Sequence, residues 1–213
     1  MSYAVKEMFV TLQGEGAQTG RASVFCRFAG CNLWSGREQD RETAACRFCD
    51  TDFIGVDGEG GGRFKTAAEL AETIEQCWKS AADESGRRYV VFTGGEPLLQ
   101  LDAELIAAVK ANGFEIAVET NGTIAAPDGI DWVCVSPKPD GPLVQTRGAE
   151  LKLVYPQTEL PPEMFEDLSF QHFWLQPMDG PARLENTQAA VAYCLAHPRW
   201  RLSLQTHKLI GIP

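Results

Sequence analysis

Apolar residues recur along the chain in short runs, and these runs predict the strands of a sheet. Polar or glycine-rich turns and longer stretches with helical spacing separate them, so strands and helices alternate. The run at 89–93 (YVVFT) is apolar for most of its length, as in a strand buried on both faces of a parallel sheet. The predicted strands are residues 3–12, 22–28, 89–93, 115–119, 132–136, 150–155, 173–176 and 201–205.

Helices are predicted where apolar residues return every three or four positions. Thr66 and Glu69 form a capping box, and the apolar stripe that follows it places Cys77 in the core. A second helix is expected from about 102 to 112, and a third from about 187 to 196. The expected buried side of the third helix consists of Val191, Cys194 and Leu195.

This order of elements predicts an α/β fold that forms a partial parallel β/α barrel. The connections after 115–119 and 132–136 are short for full helices, and 213 residues are few for a closed barrel of eight strands. In such a fold the functional site lies at the C-terminal edge of the strands, where the polar turns recur. We expect one domain over residues 1–213.

Composition narrows the class of partner. The net charge is -10, whereas a nucleic-acid backbone binds basic surfaces, so no nucleic-acid partner is expected. No apolar run is long enough to span a bilayer, and MSYAVKEMFV at the N-terminus lacks the features of a signal peptide. We therefore expect a cytoplasmic protein with no membrane partner, in which the seven cysteines are reduced.

Three cysteines, Cys31, Cys46 and Cys49, form a C-x14-C-x2-C array, and Cys26 lies just upstream. Four thiolates would form a closed structural zinc site, whereas three would leave one iron of a four-iron cluster without a protein ligand. Cys26 alternates with polar residues in the predicted strand 22–28 and shares a face with apolar ones, which favours a core position. The spacing by itself leaves the zinc site as an alternative.

The array contains an insertion at about 32–45 with its own helix signals. Ser35 and Glu38 form a capping box ahead of the helix-compatible stretch GREQDRETAA. We predict a short surface helix within 36–45 that returns the chain to the first cysteine. Further on, the glycine-rich residues 55–63 predict a flexible surface loop.

Polar residues at the ends of strands are candidate ligands. The turn Gln13-Gly14-Glu15-Gly16 follows the first strand, and its glycines would let the backbone approach a small molecule. Arg27 is able to clamp a carboxylate with two hydrogen bonds if its face lines a cavity, and an ion pair at the strand end is the more frequent alternative. Asp50 and Thr51 offer oxygen donors, the type that hard cations prefer.

In order along nearly the whole chain, these segments resemble those of radical S-adenosylmethionine (SAM) enzymes. More narrowly, they resemble the 7-carboxy-7-deazaguanine synthase family of the queuosine pathway. The cysteine spacing differs from the C-x3-C-x2-C that is usual in the superfamily. The matching segments are FVTLQGEGAQTGRASVFCRFAGCNL (9–33), CDT (49–51), TGGEPLLQ (93–100), ETNGT (119–123), SPK (136–138) and QPMDG (176–180).

The resemblance implies a [4Fe-4S] cluster, SAM and Mg²⁺ as cofactors. Cys31, Cys46 and Cys49 would ligate the cluster, and the Thr51 hydroxyl would ligate Mg²⁺. The implied SAM-binding residues are Phe48, Cys49, Asp50, Gly94, Gly95, Glu96, Ser136, Pro137, Lys138, Gln176, Pro177, Met178 and Asp179.

The implied reaction converts 6-carboxy-5,6,7,8-tetrahydropterin to 7-carboxy-7-deazaguanine with loss of ammonia and regeneration of SAM, which is a carbon–nitrogen lyase activity. The resemblance also implies a homodimer and an electron donor such as a flavodoxin-like protein. A radical SAM enzyme that activates another protein is the alternative, because it would share the cluster and SAM residues. The implied substrate-binding residues are Leu12, Gln13, Gly14, Glu15, Arg27, Thr93, His207 and Pro213.

Overall fold

The computed structural model describes residues 2–81 and 86–213, and within them one nine-stranded sheet is flanked by helices. The strands are β1 (Tyr3–Leu12), β2 (Ala22–Phe28), β3 (Gly62–Phe64), β4 (Tyr89–Gly94), β5 (Glu115–Thr120), β6 (Trp132–Val135), β7 (Arg147–Tyr155), β8 (Ser169–Pro177) and β9 (Trp200–Leu202). The α-helices are α1 (Ala67–Ala81), α2 (Ala103–Ala111), α3 (Arg183–Ala196) and α4 (Thr206–Ile210).

The sheet is open, with the strand order β3-β1-β2-β4-β5-β6-β7-β8-β9. Every neighbouring pair from β2 to β9 is parallel, which confirms the predicted partial barrel. At one edge, β1 runs antiparallel to both β2 and β3. The connection from β1 to β2 is short, and a short connection joins antiparallel strands, whereas parallel ones need a longer crossover.

The core lies between the outer face of the sheet and the helices. On β2, Val24, Cys26 and Phe28 are fully buried on this side, as the alternation predicts. They pack in one cluster with apolar residues of α1 and α2, among them Leu70 and Leu105. The opposite face of the same strands is therefore available for polar side chains.

The start of α1 confirms the predicted cap, since the Glu69 backbone N–H donates to Thr66 Oγ1 at 3.2 Å. The expectation for α3 was wrong in two respects. The helix begins at Arg183 rather than near 187. Of its expected buried side, Cys194 packs against the core as predicted, but Leu195 is 79% exposed and Val191 is also exposed, and the fully buried residue is Ala190.

Two further expectations were right only in part. Gly62 and Arg63, at the end of the expected loop 55–63, join Phe64 in β3, because the free edge of β1 supplies hydrogen-bond partners that a three-residue strand does not reveal in its sequence. The short surface helix predicted in the insertion is present as a 3-10 helix over Glu38–Thr43, but it has no side-chain cap, so the predicted capping box of Ser35 and Glu38 was wrong. Ser35 Oγ instead donates to Asp40 Oδ2 at 2.5 Å.

Within the residues that the structure describes, none of the helices combines the length and apolar character needed to cross a membrane.

Candidate functional site

A cavity of about 420 Å³ lies on the inner face of the sheet, at the C-terminal ends of the parallel strands. Every residue predicted above as a cluster, SAM, magnesium or substrate contact lines it, except Glu96 and Pro137. The lining includes residues 12–15, 48–51, 93–95 and 176–179, with Arg27, Cys31, Cys46, Ser136, Lys138, His207 and Pro213.

The cysteines divide as the alternation in β2 indicates. Cys31, Cys46 and Cys49 line the cavity, whereas Cys26 is fully buried in the core beneath α1 and α2. A zinc site made of all four cysteines is therefore wrong. Among the described residues, no three His, Cys, Asp or Glu side chains converge as they must around a single ion. A four-iron cluster binds each thiolate at a different iron, so the three cavity thiols fit that group.

The electrostatics of the thiols differ from one another. The thiol of Cys46 donates a hydrogen bond to Cys49, which lowers the pKa of Cys49 to about 6 and raises the pKa of Cys46. Burial raises the pKa of the Cys31 thiol. Cys49 thus already favours the thiolate, which is the form that binds metal.

A small apolar cluster supports the cysteine loop. Trp34, Ala44 and Phe53 are buried together, and Cys31 and Cys49 pack against them. The Trp34 and Phe53 rings meet edge to face with their centroids 5.6 Å apart. The insertion thus folds back onto its own apolar residues and returns the second half of the array to the first.

The two glycines of the GGEP turn are required by the neighbouring backbone. A Cβ on Gly94, whose φ is +142°, would lie 2.3 Å from the carbonyl oxygen of Phe28. A Cβ on Gly95 would lie 2.2 Å from the carbonyl oxygen of Gly30 and 2.6 Å from Cys31 Cβ. The sequence interpretation attributed these glycines to close approach of SAM, whereas the end of β2 and the cysteine loop already exclude a side chain here.

Glu96 is fully buried, and its carboxylate is used within the fold. It accepts hydrogen bonds from the Leu98 and Asn121 backbone N–H groups, at 2.9 and 2.8 Å, and from Thr120 Oγ1 at 2.8 Å. Burial raises its pKa despite these three donors. Glu96 joins the turns after β4 and β5, whereas the predicted contact with the SAM amino group needs a carboxylate that reaches the cavity.

The SPK segment after β6 presents a lysine from a buried position. Lys138 Nζ donates to the Ser136 carbonyl oxygen at 2.7 Å and to Ser136 Oγ at 2.6 Å. Burial lowers the pKa of Lys138. Pro137 is buried between these two residues and positions them without lining the cavity.

Arg27 lines the cavity and also makes the ion pair that was its alternative interpretation, with Glu7 as the partner. Its Nε donates to Glu7 Oε1 at 2.7 Å, because Glu7 on β1 lies directly opposite Arg27 on β2. In the described part of the chain, the two Nη groups of Arg27 have no hydrogen-bond acceptor. The guanidinium is thus fixed through one nitrogen and presents the other two.

The centre of the cavity holds a buried cation between two carboxylates. Lys152 Nζ contacts Glu15 Oε2 and lies 3.6 Å from Glu119 Oε1. Gln176 and Gln205 each donate to Glu15 Oε1, at 3.0 and 3.1 Å. Burial would lower the pKa of Lys152, but the charges of Glu119 and Glu15 raise it well above its ordinary value.

Lys152 and Glu119 were missed in the sequence. The available signal was a lysine in the otherwise apolar run LKLVY of β7, because a lone charge in a buried strand needs a partner. Lys152 in return favours the ionised form of the Glu15 carboxyl group. Burial would raise the pKa of Glu15, but Lys152 lowers it overall.

The C-terminal segment closes one side of the cavity. The Thr206 backbone N–H and Oγ1 donate to the Gly14 carbonyl oxygen, at 3.0 and 2.7 Å, and Thr11 Oγ1 donates to the Pro213 oxygen at 2.9 Å. A Cβ on Gly14 would lie 2.1 Å from His207 Nδ1, so the tail packs on this glycine. The tail predicted to reach the substrate therefore lies against the glycine turn that follows β1.

Lys208, also unpredicted, ties this tail to two loops of the site. Its Nζ donates to Asp50 Oδ2 at 2.6 Å and to Asp179 Oδ2 at 2.7 Å. The hydrogen bond from Lys208 lowers the pKa of Asp179. One ammonium group thus joins the cysteine loop, the loop after β8 and α4.

Comparison with known proteins assigns this site to a family. The model of the radical SAM superfamily matches residues 41–133. Proteins named 7-carboxy-7-deazaguanine synthase are 68% identical over 212 residues in Bradyrhizobium diazoefficiens, 66% over 213 in Bordetella pertussis and 65% over 213 in Caulobacter vibrioides, each match covering 100% of both chains. The crystal structure of QueE from Escherichia coli is 28% identical with a TM-score of 0.68, covering 96% of this chain and 94% of that one. From this identity over its whole length, the chain belongs to the 7-carboxy-7-deazaguanine synthase family of radical SAM enzymes.

Proposed function

We propose that the chain converts 6-carboxy-5,6,7,8-tetrahydropterin to 7-carboxy-7-deazaguanine and ammonia, as a carbon–nitrogen lyase of queuosine biosynthesis. The observation that carries the proposal is a single cavity lined by the three cysteines of the array and by residues 12–15, 136, 138 and 176–179. Its volume of about 420 Å³ is that of a small-molecule site rather than a protein-docking surface. Membership of the family supports the same reaction.

A [4Fe-4S] cluster and SAM are the cofactors of the radical SAM superfamily. Cys31, Cys46 and Cys49 would hold the cluster. When bound, these cofactors supply the radical that removes one hydrogen atom from the substrate and returns it. The backbone of Gly94 and Gly95 and the side chains of Ser136 and Lys138 would hold SAM, since they lie in the same cavity as the thiols.

The substrate carboxylate would bind where a free guanidinium face meets oxygen donors. The two unpartnered Nη groups of Arg27 match the two oxygens of a carboxylate. We propose that the Thr51 hydroxyl ligates Mg²⁺ beside this carboxylate, and its place in the cavity lining supports this. The ion would orient the carboxylate and stabilise negative charge during the ring contraction.

The pterin ring carries several N–H groups, which need acceptors in a site with little water. Glu15, Glu119 and the C-terminal carboxylate of Pro213 line the cavity and can accept them, while Gln13 and Thr93 supply further polar contacts. The Gln13 amide already donates to Glu119 at 3.1 Å, which fixes the orientation of both. Leu12 and His207 would cover the ring and exclude water, so that the radical is confined.

The test is anaerobic reconstitution with iron and sulfide, followed by incubation with the carboxylated tetrahydropterin, SAM and a reductant. About four irons and four sulfides per chain, and formation of the deazapurine with SAM recovered, are expected. Zinc without sulfide, or no deazapurine with or without Mg²⁺, would refute the proposal. Pairing Thr51→Ala with Thr51→Ser tests the magnesium ligand, because serine keeps the hydroxyl. Only the alanine variant should lose stimulation by Mg²⁺ while retaining its iron.

We further propose a single domain over residues 1–213 that works in the cytoplasm as a homodimer and takes electrons from a flavodoxin-like donor. The exposed apolar residues on α3, Leu184, Val191 and Leu195, support an interface between chains. Analytical ultracentrifugation tests the dimer. A monomer at micromolar concentration would contradict the proposed homodimer. Replacing the chemical reductant by purified flavodoxin and its reductase tests the donor, and an absence of turnover would exclude it.

A further inference from the structure

One side chain of the insertion binds the backbone of the cysteine loop. Arg41 Nη1 donates to the carbonyl oxygen of Arg47 at 2.8 Å and to that of Cys49 at 3.0 Å. Arg47 and Cys49 are the residues on either side of Phe48, so both carbonyls belong to the C-x2-C segment. Arg41 therefore contacts the C-x2-C segment without occupying the cavity.

The guanidinium of Arg41 is held on its remaining sides. Its Nε donates to the Glu38 carboxylate, at 2.7 and 3.0 Å, and Nη2 donates to the same group. Its central carbon lies 4.3 Å from the ring centre of Trp34, which is 7% exposed. A planar group with donors on three nitrogens meets these demands together, whereas a lysine ammonium does not.

The loop that carries Cys46 and Cys49 packs on the apolar cluster around Trp34 and is tied through Asp50 to Lys208, but no regular secondary structure orders its backbone. The 3-10 helix ends at Thr43, and no strand or α-helix begins again before Gly62. Within the loop, the backbone hydrogen bond from Cys49 N–H to the Cys46 carbonyl oxygen is long, at 3.4 Å. Each residue fixed without such support costs conformational entropy, so an added anchor is needed if the thiols are to be in position before a cluster binds.

We propose that Arg41 is a positioning residue for the cluster, which fixes the C-x2-C segment through the Arg47 and Cys49 carbonyls and so prepares the thiols in the apoprotein. The insertion is on this account a built-in holder for the cluster. This rests on the proposed function only in that the three thiols hold the cluster. The arrangement of the loop is a property of the protein chain by itself.

The experiment compares Arg41→Met, Arg41→Lys and the control Arg37→Met. Arg37 lies in the same insertion and is exposed, and its guanidinium has no hydrogen bond or ion pair within residues 2–81 and 86–213, so its loss removes the same charge without an anchor. The apoproteins are first treated with a protease that cuts after glutamate, and cleavage after the exposed Glu42 is followed. This site is present in all variants.

Both Arg41 variants should be cut after Glu42 about tenfold faster than wild type. This factor corresponds to a decrease of about 1.4 kcal/mol in the free energy of local opening. After anaerobic reconstitution without SAM, both should also release iron to a chelator about tenfold faster, while Arg37→Met behaves as wild type. Equal rates for Arg41→Met and wild type would overturn the proposal. An Arg41→Lys variant equal to wild type would overturn the role of the planar fork.

Thermal melting of the apoproteins separates positioning from general stability. An Arg41→Met midpoint close to that of Arg37→Met is expected, and a midpoint far below it would overturn the proposal by assigning Arg41 to overall stability. If wild type itself takes up no iron and sulfide, the proposed function fails. The proteolysis of the apoproteins still decides whether Arg41 orders the loop.

Discussion

Replacing Lys152 by methionine tests how the buried charges of the cavity are held. The side chain of Lys152 is 7% exposed and that of Glu15 is 13% exposed, and the ammonium lies between Glu15 and Glu119. Methionine keeps the length and apolar stem but leaves two carboxylates without a cation. Removing one partner of a buried ion pair typically costs about 3–5 kcal/mol. For a chain of this size that lowers the melting midpoint by about 6–20 °C.

The loss should depend on pH with a definite sign. In wild type the pKa of Glu15 is lowered, so the pair contributes stability above the unfolded value of about 4.3 and loses it as the pH falls through the folded value. In the variant, burial without Lys152 raises the pKa of Glu15, so protonation relieves the folded state as the pH falls. The difference between wild type and Lys152→Met is therefore expected to be larger at pH 8 than at pH 5.

The assay is thermal melting of the apoproteins from pH 5 to pH 8, with two further variants. Lys79→Met removes one of the two cations that contact Glu75 and leaves Arg88 in place, so it should change the melting midpoint little at either pH. The double variant Lys152→Met with Glu15→Gln removes one of the two unpaired charges, the more deeply buried one, and should be more stable at pH 8 than Lys152→Met alone. A pH-independent loss, or a double variant that is less stable still, would refute the reasoning.

Three other substitutions test separate parts of the site. Gly95→Ala should displace the cysteine loop, because its Cβ would lie 2.2 Å from the Gly30 carbonyl oxygen, and it should therefore reduce bound iron after reconstitution. The control Gly62→Ala makes only ordinary contacts and should keep its iron. Equal iron in both variants would contradict this. Lys208→Met should speed hydrogen exchange of the α4 amides by freeing the tail from its two carboxylate partners, and unchanged exchange would mean that Lys208 does not fasten it. Cys26→Ala should retain the iron content of wild type and lose about 1 kcal/mol of stability as a core substitution, so loss of iron would return Cys26 to the ligand set.

Local patterns were sufficient wherever one element decides the outcome. Alternation along β2 assigned Cys26 to the core, and the buried parallel strand at 89–93 was recognised from its apolar run. Turns after successive strands were expected at one edge because parallel strands bring their carboxyl ends together. The same rule brought most of the candidate residues into one cavity. Their roles in binding stay predictions.

Patterns failed where the deciding partner is remote. The strand β3 exists because β1 has a free edge, and the exposed side of α3 depends on how closely that helix approaches β8 and β9. Glu96 was expected at SAM, yet its acceptor oxygens are taken by donors from the turn after β5. None of these contacts can be recognised from the hydrophobic periodicity of the segments that form them.

By itself, then, the amino-acid sequence determined the alternation of strands and helices, the core position of Cys26, and the family. These follow from hydrophobic periodicity and from short motifs, which act over a few neighbouring residues. The tertiary structure alone decided that Lys152 neutralises Glu15, 137 positions away, and that Arg41 donates to the carbonyl oxygens of Arg47 and Cys49. A buried charge must find its partner in space, and chain separation places no limit on which residue that will be.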